Sequence, residues 1–189
     1  MEPVIKKLIP KKLTVNQIVL TALLVAMEVV MSRLLSIPTP ILKISLSFLP
    51  IVVIAILYGP IYAGIGAALA DFIGAMLFPV GAFFPGFTIS AFLIGCTYGI
   101  FLYKGNFEGF KGLVKVIAAA FIVTFVLQLG LETLWIAIIM VTNADSDHTV
   151  LQNAYMAFLP VRAVRSAIML PIQVVLIRLL PLLTRHMNI

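Results

Sequence analysis

Read from its amino terminus, the chain alternates long apolar runs with short polar or proline–glycine breaks, and there are six such runs. They lie at about Asn16–Leu35, Ile44–Tyr58, Pro60–Phe78, Pro85–Tyr103, Leu113–Val141 and Leu159–Leu183. A helix needs about 20 apolar residues to cross the hydrocarbon of a bilayer, and most of the runs reach that length. The second is short and interrupted by Pro50, the fifth is long enough to tilt or protrude, and the sixth contains Pro171. Strict alternation of apolar and polar positions is missing, and Ala, Leu and Gly abound, which argues against strands. The pattern predicts an all-α integral membrane protein with six transmembrane helices in one compact bundle. Residues 1–189 then form a single membrane domain, without repeats, low-complexity tracts or a soluble domain.

Composition strengthens this picture. The chain is 62% hydrophobic and 11% charged, with a mean hydropathy of +1.19. Soluble domains carry about 25% charged residues, so the surrounding solvent here must be largely lipid. The net charge of +6 does not indicate nucleic acid, because the lysines cluster at the ends of the apolar runs. That arrangement records membrane orientation. Lys6, Lys7, Lys11, Lys12, Lys104, Lys111, Lys115 and Arg185 fall on one side, against Lys43, Asp145 and Asp147 on the other. The bias predicts a multi-pass protein of the cell membrane with both termini cytoplasmic. The outer loops are then about Ser36–Lys43, Pro79–Phe84 and Thr142–Phe158. The opening "MEPVIKKLIPKKLTVNQIVL" is basic and then apolar, like a signal peptide. Its apolar run is too long and no A-x-A-like site follows, so it reads as a retained span.

The second outer loop lies within "LFPVGAFFPGFTISAF", a stretch with two prolines, two glycines and five phenylalanines but no charge. Pro79 and Gly81 end one helix, and Pro85 and Gly86 start the next. The preceding span carries small residues at helical spacing: Ala63, Ala67, Ala70 and Gly74. Such smooth faces allow close helix approach, either inside the bundle or against another membrane protein. Ala22 and Ala26 make a similar A-x-x-x-A pair in the first span.

Ionisable residues inside the spans are the main chemical signal. Glu28, Asp71 and Glu132 each cost about 2.5–3.5 kcal/mol to insert. Arg33, Arg162 and Arg165 lie near the outer ends of their spans. Asp71 or Glu132 paired with an arginine is the structural reading, and a ligand cavity is the functional one. Glu28 favours a structural role. Arg33, Lys43, Arg162 and Arg165 gather in the outer half with Asp71, Glu132 and Trp135, the only tryptophan. Arginines pair with carboxylates bidentately, aromatic rings stack on flat heterocycles, and a carboxylate accepts from N–H groups. The set suits a flat, anionic, hydrogen-bonding ligand.

Other chemistry finds little support. No G-x-x-x-x-G-K-[ST] is present, and "GNFEGFKG" lacks its spacing, so ATP is not bound by that route. His148 and His186 lie outside the spans without a second ligand nearby, so no metal or other cofactor is expected. No G-x-S-x-G or H-E-x-x-H occurs, and no nucleophile–base pair is visible within the spans, so an enzyme is not expected. The one cysteine, Cys96, excludes an internal disulfide and reads as a small packed hydrophobe.

The block "LPIVVIAILYGPIYAGIGAALADFIGAMLFP", followed by "GAFFPGFTISAFLIGCTYGIFLY", resembles the substrate-binding S components of energy-coupling factor (ECF) vitamin transporters. More narrowly, it is similar to the folate-specific branch of that family. The resemblance runs nearly the full chain and is strongest from Leu49 to Tyr103. It implies capture of folate from outside and association with a membrane coupling subunit and two cytoplasmic ATPases. Ala22 and Ala26 map to the face that meets the coupling subunit. The subunit would topple in the membrane to release its substrate, helped by smooth faces such as that of the third span. Pro79–Gly86 would then be one gate, with Phe83 and Phe84 covering a flat ring, and Ser36–Ile44 the other. The pterin is expected deep in the cavity, its N–H groups on Asp71 or Glu132 and its ring against Trp135. Arg33, Lys43, Arg162 and Arg165 would hold the glutamate tail. An S component for riboflavin, thiamine or pantothenate is the nearest alternative. An intramembrane enzyme and a small channel are more distant ones.

Overall fold

A computed structural model describes residues 14–38, 43–79, 83–105, 109–142 and 148–184. The basic amino terminus, Pro40, Gly81, Asp145, Asp147 and Arg185 lie outside the described residues. The expectation of an all-α bundle holds. Helix α1 (Val15–Arg33) starts where the backbone N–H of Thr14 donates to Gln17 Oε1 at 3.0 Å, capping the first turn. A two-residue antiparallel pairing follows, in which β1 (Ile37–Pro38) meets β2 (Lys43–Ile44), with Ile37 opposite Ile44. This pairing joins the described ends of the first predicted outer loop. Ser45 Oγ donates to the Met31 carbonyl at 3.0 Å and anchors the end of the pair to α1.

Helix α2 (Phe48–Tyr58) has 11 residues and is therefore only about 16 Å long at 1.5 Å per residue. It is too short to cross about 30 Å of hydrocarbon. It survives because the bundle surrounds it: Val52, Ile54 and Ala55 are fully buried. Pro50 does not interrupt it. The proline sits in the first turn, where its missing N–H has no helical acceptor to lose. Gly59 then turns the chain at φ +91°, a conformation that L side chains rarely adopt, and Pro60 starts α3 (Pro60–Leu77).

Helices α3 and α4 (Pro85–Leu102) approach almost backbone to backbone. A side chain at Gly95 would strike the Ala63 carbonyl, and one at Gly99 would strike Pro60. The small-residue stripe of α3 faces inward: Ala63, Ala67 and Ala70 are buried, and so is Gly74. The expectation that this stripe offers a smooth face to lipid during toppling is therefore corrected. It serves packing within the bundle, the case in which small residues help most.

The fifth apolar run is a continuous helix in three parts. Helix α5 (Gly109–Phe121) widens into a π-helical stretch, Ile122–Leu131, and continues as α6 (Glu132–Thr142). Helix α7 (His148–Thr184) has 37 residues. It starts at His148 rather than Leu159, so most of the expected third outer loop is helical, and it runs through both Pro160 and Pro171. Across the core, Gln173 Oε1 accepts from Thr124 Oγ1 at 3.1 Å and Tyr98 Oη at 3.3 Å, joining α7, the π stretch and α4. Among the described residues, five helical segments are long and apolar enough to cross a membrane by length and composition: Val15–Arg33, Pro60–Leu77, Pro85–Leu102, Gly109–Ile139 and Tyr155–Leu180. Exposed Val19, Leu23, Ile65, Ile89 and Val175 on their outer faces suit hydrocarbon, where they need no cover.

Candidate functional site

The helix ends surround a cavity of about 450 Å³, within the range of about 300–1,000 Å³ common for small-molecule sites. Its walls come from the last turns of α1, the link into α2 and its first turn, the second half of α3, α4 from Phe87 to Tyr98, the π stretch, the start of α6 and α7. Its lining includes Phe83, an exposed residue just before α4. Exposed Lys104, Lys111 and Lys115 follow the far end of that helix and lie at the opposite end of the bundle.

Two acid–base pairs flank the cavity. On one side Arg33 Nη2 lies 3.7 Å from Asp71 Oδ1, and Thr88 Oγ1 donates to Asp71 Oδ2 at 2.9 Å. Arg33 can lie this close to α3 because Gly74 has no side chain: a Cβ there would come within 2.8 Å of Arg33 Nε. On the other side Arg162 Nη2 donates to Glu132 Oε2 at 2.7 Å. Arg165, one turn further along α7, lines the cavity, and its buried Nε makes no hydrogen bond among the described residues. Pairing offsets the cost of holding charge in a low-dielectric bundle. Arg33, Asp71, Glu132 and Arg165 both belong to this charge system and line the cavity. The structural and ligand-facing readings of these residues are therefore compatible.

The aromatic residues form a lid-side wall. Phe83, Phe84 and Phe87 line the cavity. Phe83 packs edge-on against Phe72 at 5.7 Å, and Phe84 lies 5.6 Å from the Trp135 ring. Trp135 itself stands behind Phe84 and donates from Nε1 to the buried Ser90 Oγ at 2.9 Å. Arg162 acts on the cavity through Glu132. Lys43 is described only through its backbone, opposite Pro38. Ala22 and Ala26 are not among the lining residues and are exposed on α1, whereas Val25 and Val29 are buried.

Several lining residues were missed from the sequence: Glu28, Ser32, Gln128 and Tyr98. A signal for three of them was present. Glu28 and Ser32 are four apart, as are Gln128 and Glu132, so each pair occupies one helix face. Polar residues repeated at that spacing in an apolar run mark a face turned from lipid. Tyr98 carries no such mark, because an isolated tyrosine in a span is common in ordinary packing.

Comparison with known proteins bears directly on this cavity. Residues 16–181 match the family described as "ECF transporter, substrate-specific component". The "Folate transporter FolT" of Clostridium novyi (strain NT) is 35% identical over 163 residues, covering 86% of each chain. The protein of the same name from Leuconostoc mesenteroides subsp. mesenteroides is 33% identical, covering 86% of this chain and 83% of that one. A solved structure described as "Crystal structure of FolT bound with folic acid" superposes with a TM-score of 0.71 at 36% identity, covering 85% of this chain and 88% of that chain. With the match extending over nearly all the spans, the chain belongs to the family of substrate-specific components of ECF transporters.

Proposed function

We propose that this chain is the folate-binding membrane subunit of an ECF-type vitamin importer. It captures folate from outside and passes it inward together with a coupling subunit and two cytoplasmic ATPases. One observation carries the reading: the cavity of about 450 Å³ has paired charges on two sides and phenylalanines at its mouth, in a chain 36% identical to FolT bound with folic acid. A flat heterocycle with an N–H edge and an anionic tail needs that combination of aromatic faces, acceptors and cations.

In this reading Asp71 is the foremost acceptor for the pterin edge, because Glu132 is already engaged by Arg162, while Phe83 and Phe84 close over the ring, with Trp135 behind. Arg165 is the foremost candidate for the tail carboxylates, because Arg162 is already engaged by Glu132. Arg33 and Lys43 assist from the side of the first loop. The cavity opens to the exterior of the cell membrane, and both termini are cytoplasmic. This orientation is supported by exposed Lys104, Lys111 and Lys115 at the opposite end. Ala22 and Ala26, small and exposed on α1, suit close contact with the coupling subunit. The single membrane domain expected of residues 1–189 carries the binding part of this function.

The test uses Trp135, the only tryptophan. The purified protein is titrated with folate, riboflavin and thiamine, with inner-filter controls, while its fluorescence is followed. Saturable quenching by folate alone is expected. A saturable response to another vitamin but not to folate would overturn the assignment.

A further inference from the structure

Gly86 is the second residue of α4 and is buried. Its backbone does not demand glycine: the positive-φ glycines among the described residues are Gly59 and Gly109. Its neighbours do. A Cβ at Gly86 would fall 2.7 Å from Trp135 Cδ2 and would also clash with the Phe84 ring, whereas real Cβ contacts essentially never fall under 3.0 Å. At Gly95 and Gly99 the corresponding clash is with backbone and proline of α3, so those glycines serve helix packing. At Gly86 the obstructed groups are two aromatic rings, one of which lines the cavity.

The rings are otherwise well fixed. Trp135 donates to Ser90 Oγ at 2.9 Å, and Ser90 is one turn along the same face of α4 as Gly86. The indole thus lies along α4, hydrogen-bonded at one end and seated over Gly86 at the other. Phe84 leans on it at 5.6 Å with a tilt of 51° and meets Phe87 edge-on at 6.2 Å. Phe84 is also the residue immediately before α4.

We propose that Gly86 is a positioning residue of the binding site: its missing side chain seats Phe84 against Trp135 and thereby sets the aromatic wall that meets the ligand's flat ring. The ligand part of this statement rests on the folate reading above. The seat itself does not. A methyl group at this point displaces Phe84 from the wall, and the ligand is then held on fewer faces.

The test is Gly86→Ala, a change that favours helix formation and leaves the backbone unstrained. The expected result has two arms. In ligand-free protein, the emission maximum of Trp135 shifts and acrylamide quenches it more readily. With folate, dissociation accelerates about tenfold, in keeping with overpacking of a well-filled contact. Phe84→Leu added to Gly86→Ala relieves the clash with the Phe84 ring but leaves the one with Trp135 Cδ2, so Trp135 emission returns part of the way toward that of the parent protein. The double variant also serves if Gly86→Ala accumulates too poorly to measure. Ile89→Ala, on the exposed side of α4, leaves both readouts unchanged. A lower thermal midpoint with unaltered emission and dissociation would mean that Gly86 only packs, and would overturn the proposal. If the parent protein fails to bind folate, the proposed function falls, while the emission arm still decides whether the seat exists.

Discussion

The two charged sides of the cavity are built from the same residue types and behave differently. Glu132 and Arg162 meet at 2.7 Å, a charge-assisted hydrogen bond. Asp71 and Arg33 stand 3.7 Å apart, beyond hydrogen-bond reach, and Asp71 instead takes a hydrogen bond from Thr88. The α6–α7 side also holds one more arginine than its acid engages. The difference teaches that a charge within the bilayer can be committed or available. Glu132 and Arg162 largely satisfy each other, which makes them a fixed part of the bundle. Arg33, Asp71 and Arg165 retain bonding capacity, which is what a ligand requires.

The largest expected effect comes from breaking the tight pair. Glu132→Ala leaves Arg162 and Arg165 as adjacent uncompensated cations, and should destabilise the protein by about 3–5 kcal/mol. Thermal unfolding in detergent checks this. Asp71→Ala should cost clearly less, and equal losses would remove the distinction between the two sides. Next in size is Arg165→Ala, which should spare folding yet weaken folate binding by about 10- to 100-fold. A pterin lacking the glutamate should lose far less, as read by tryptophan quenching. The same loss for both ligands would contradict the assignment of Arg165 to the tail. The smallest effect is expected from Thr88→Val, which removes one acceptor-orienting bond from Asp71. It should reduce folate affinity by about fivefold, or about 1 kcal/mol. No change at all would indicate that Asp71 is held by Arg33 despite the longer distance.

Much of the cavity was legible from insertion cost. Arg33, Asp71, Glu132 and Arg165 stand out because each is expensive in hydrocarbon, and all four line the cavity. Phe83 and Phe84 were legible because the proline–glycine segment around them is a helix break. Glu28 was read as structural; it also lines the cavity, on the same helix face as Ser32 one turn later. Trp135 was expected against the ligand. Its position behind Phe84 depends on Gly86 and Ser90, and sequence spacing carries no information about that contact. The expected third outer loop is shorter because α7 begins at His148, ahead of the apolar run by which a span is recognised.

The sequence by itself determined the solvent, the helical class, the approximate number of apolar helices and the identity of the costly side chains. These follow from local quantities: transfer free energy, residue period and the conformational limits of proline and glycine. Only the tertiary structure decided which acid meets which arginine, that the smooth face of α3 turns inward, and that Trp135 supports Phe84 from behind. Those outcomes depend on distances between side chains on different helices. Such distances are set when whole faces pack together, because glycines at 74, 86, 95 and 99 permit close approach where any larger residue would forbid it.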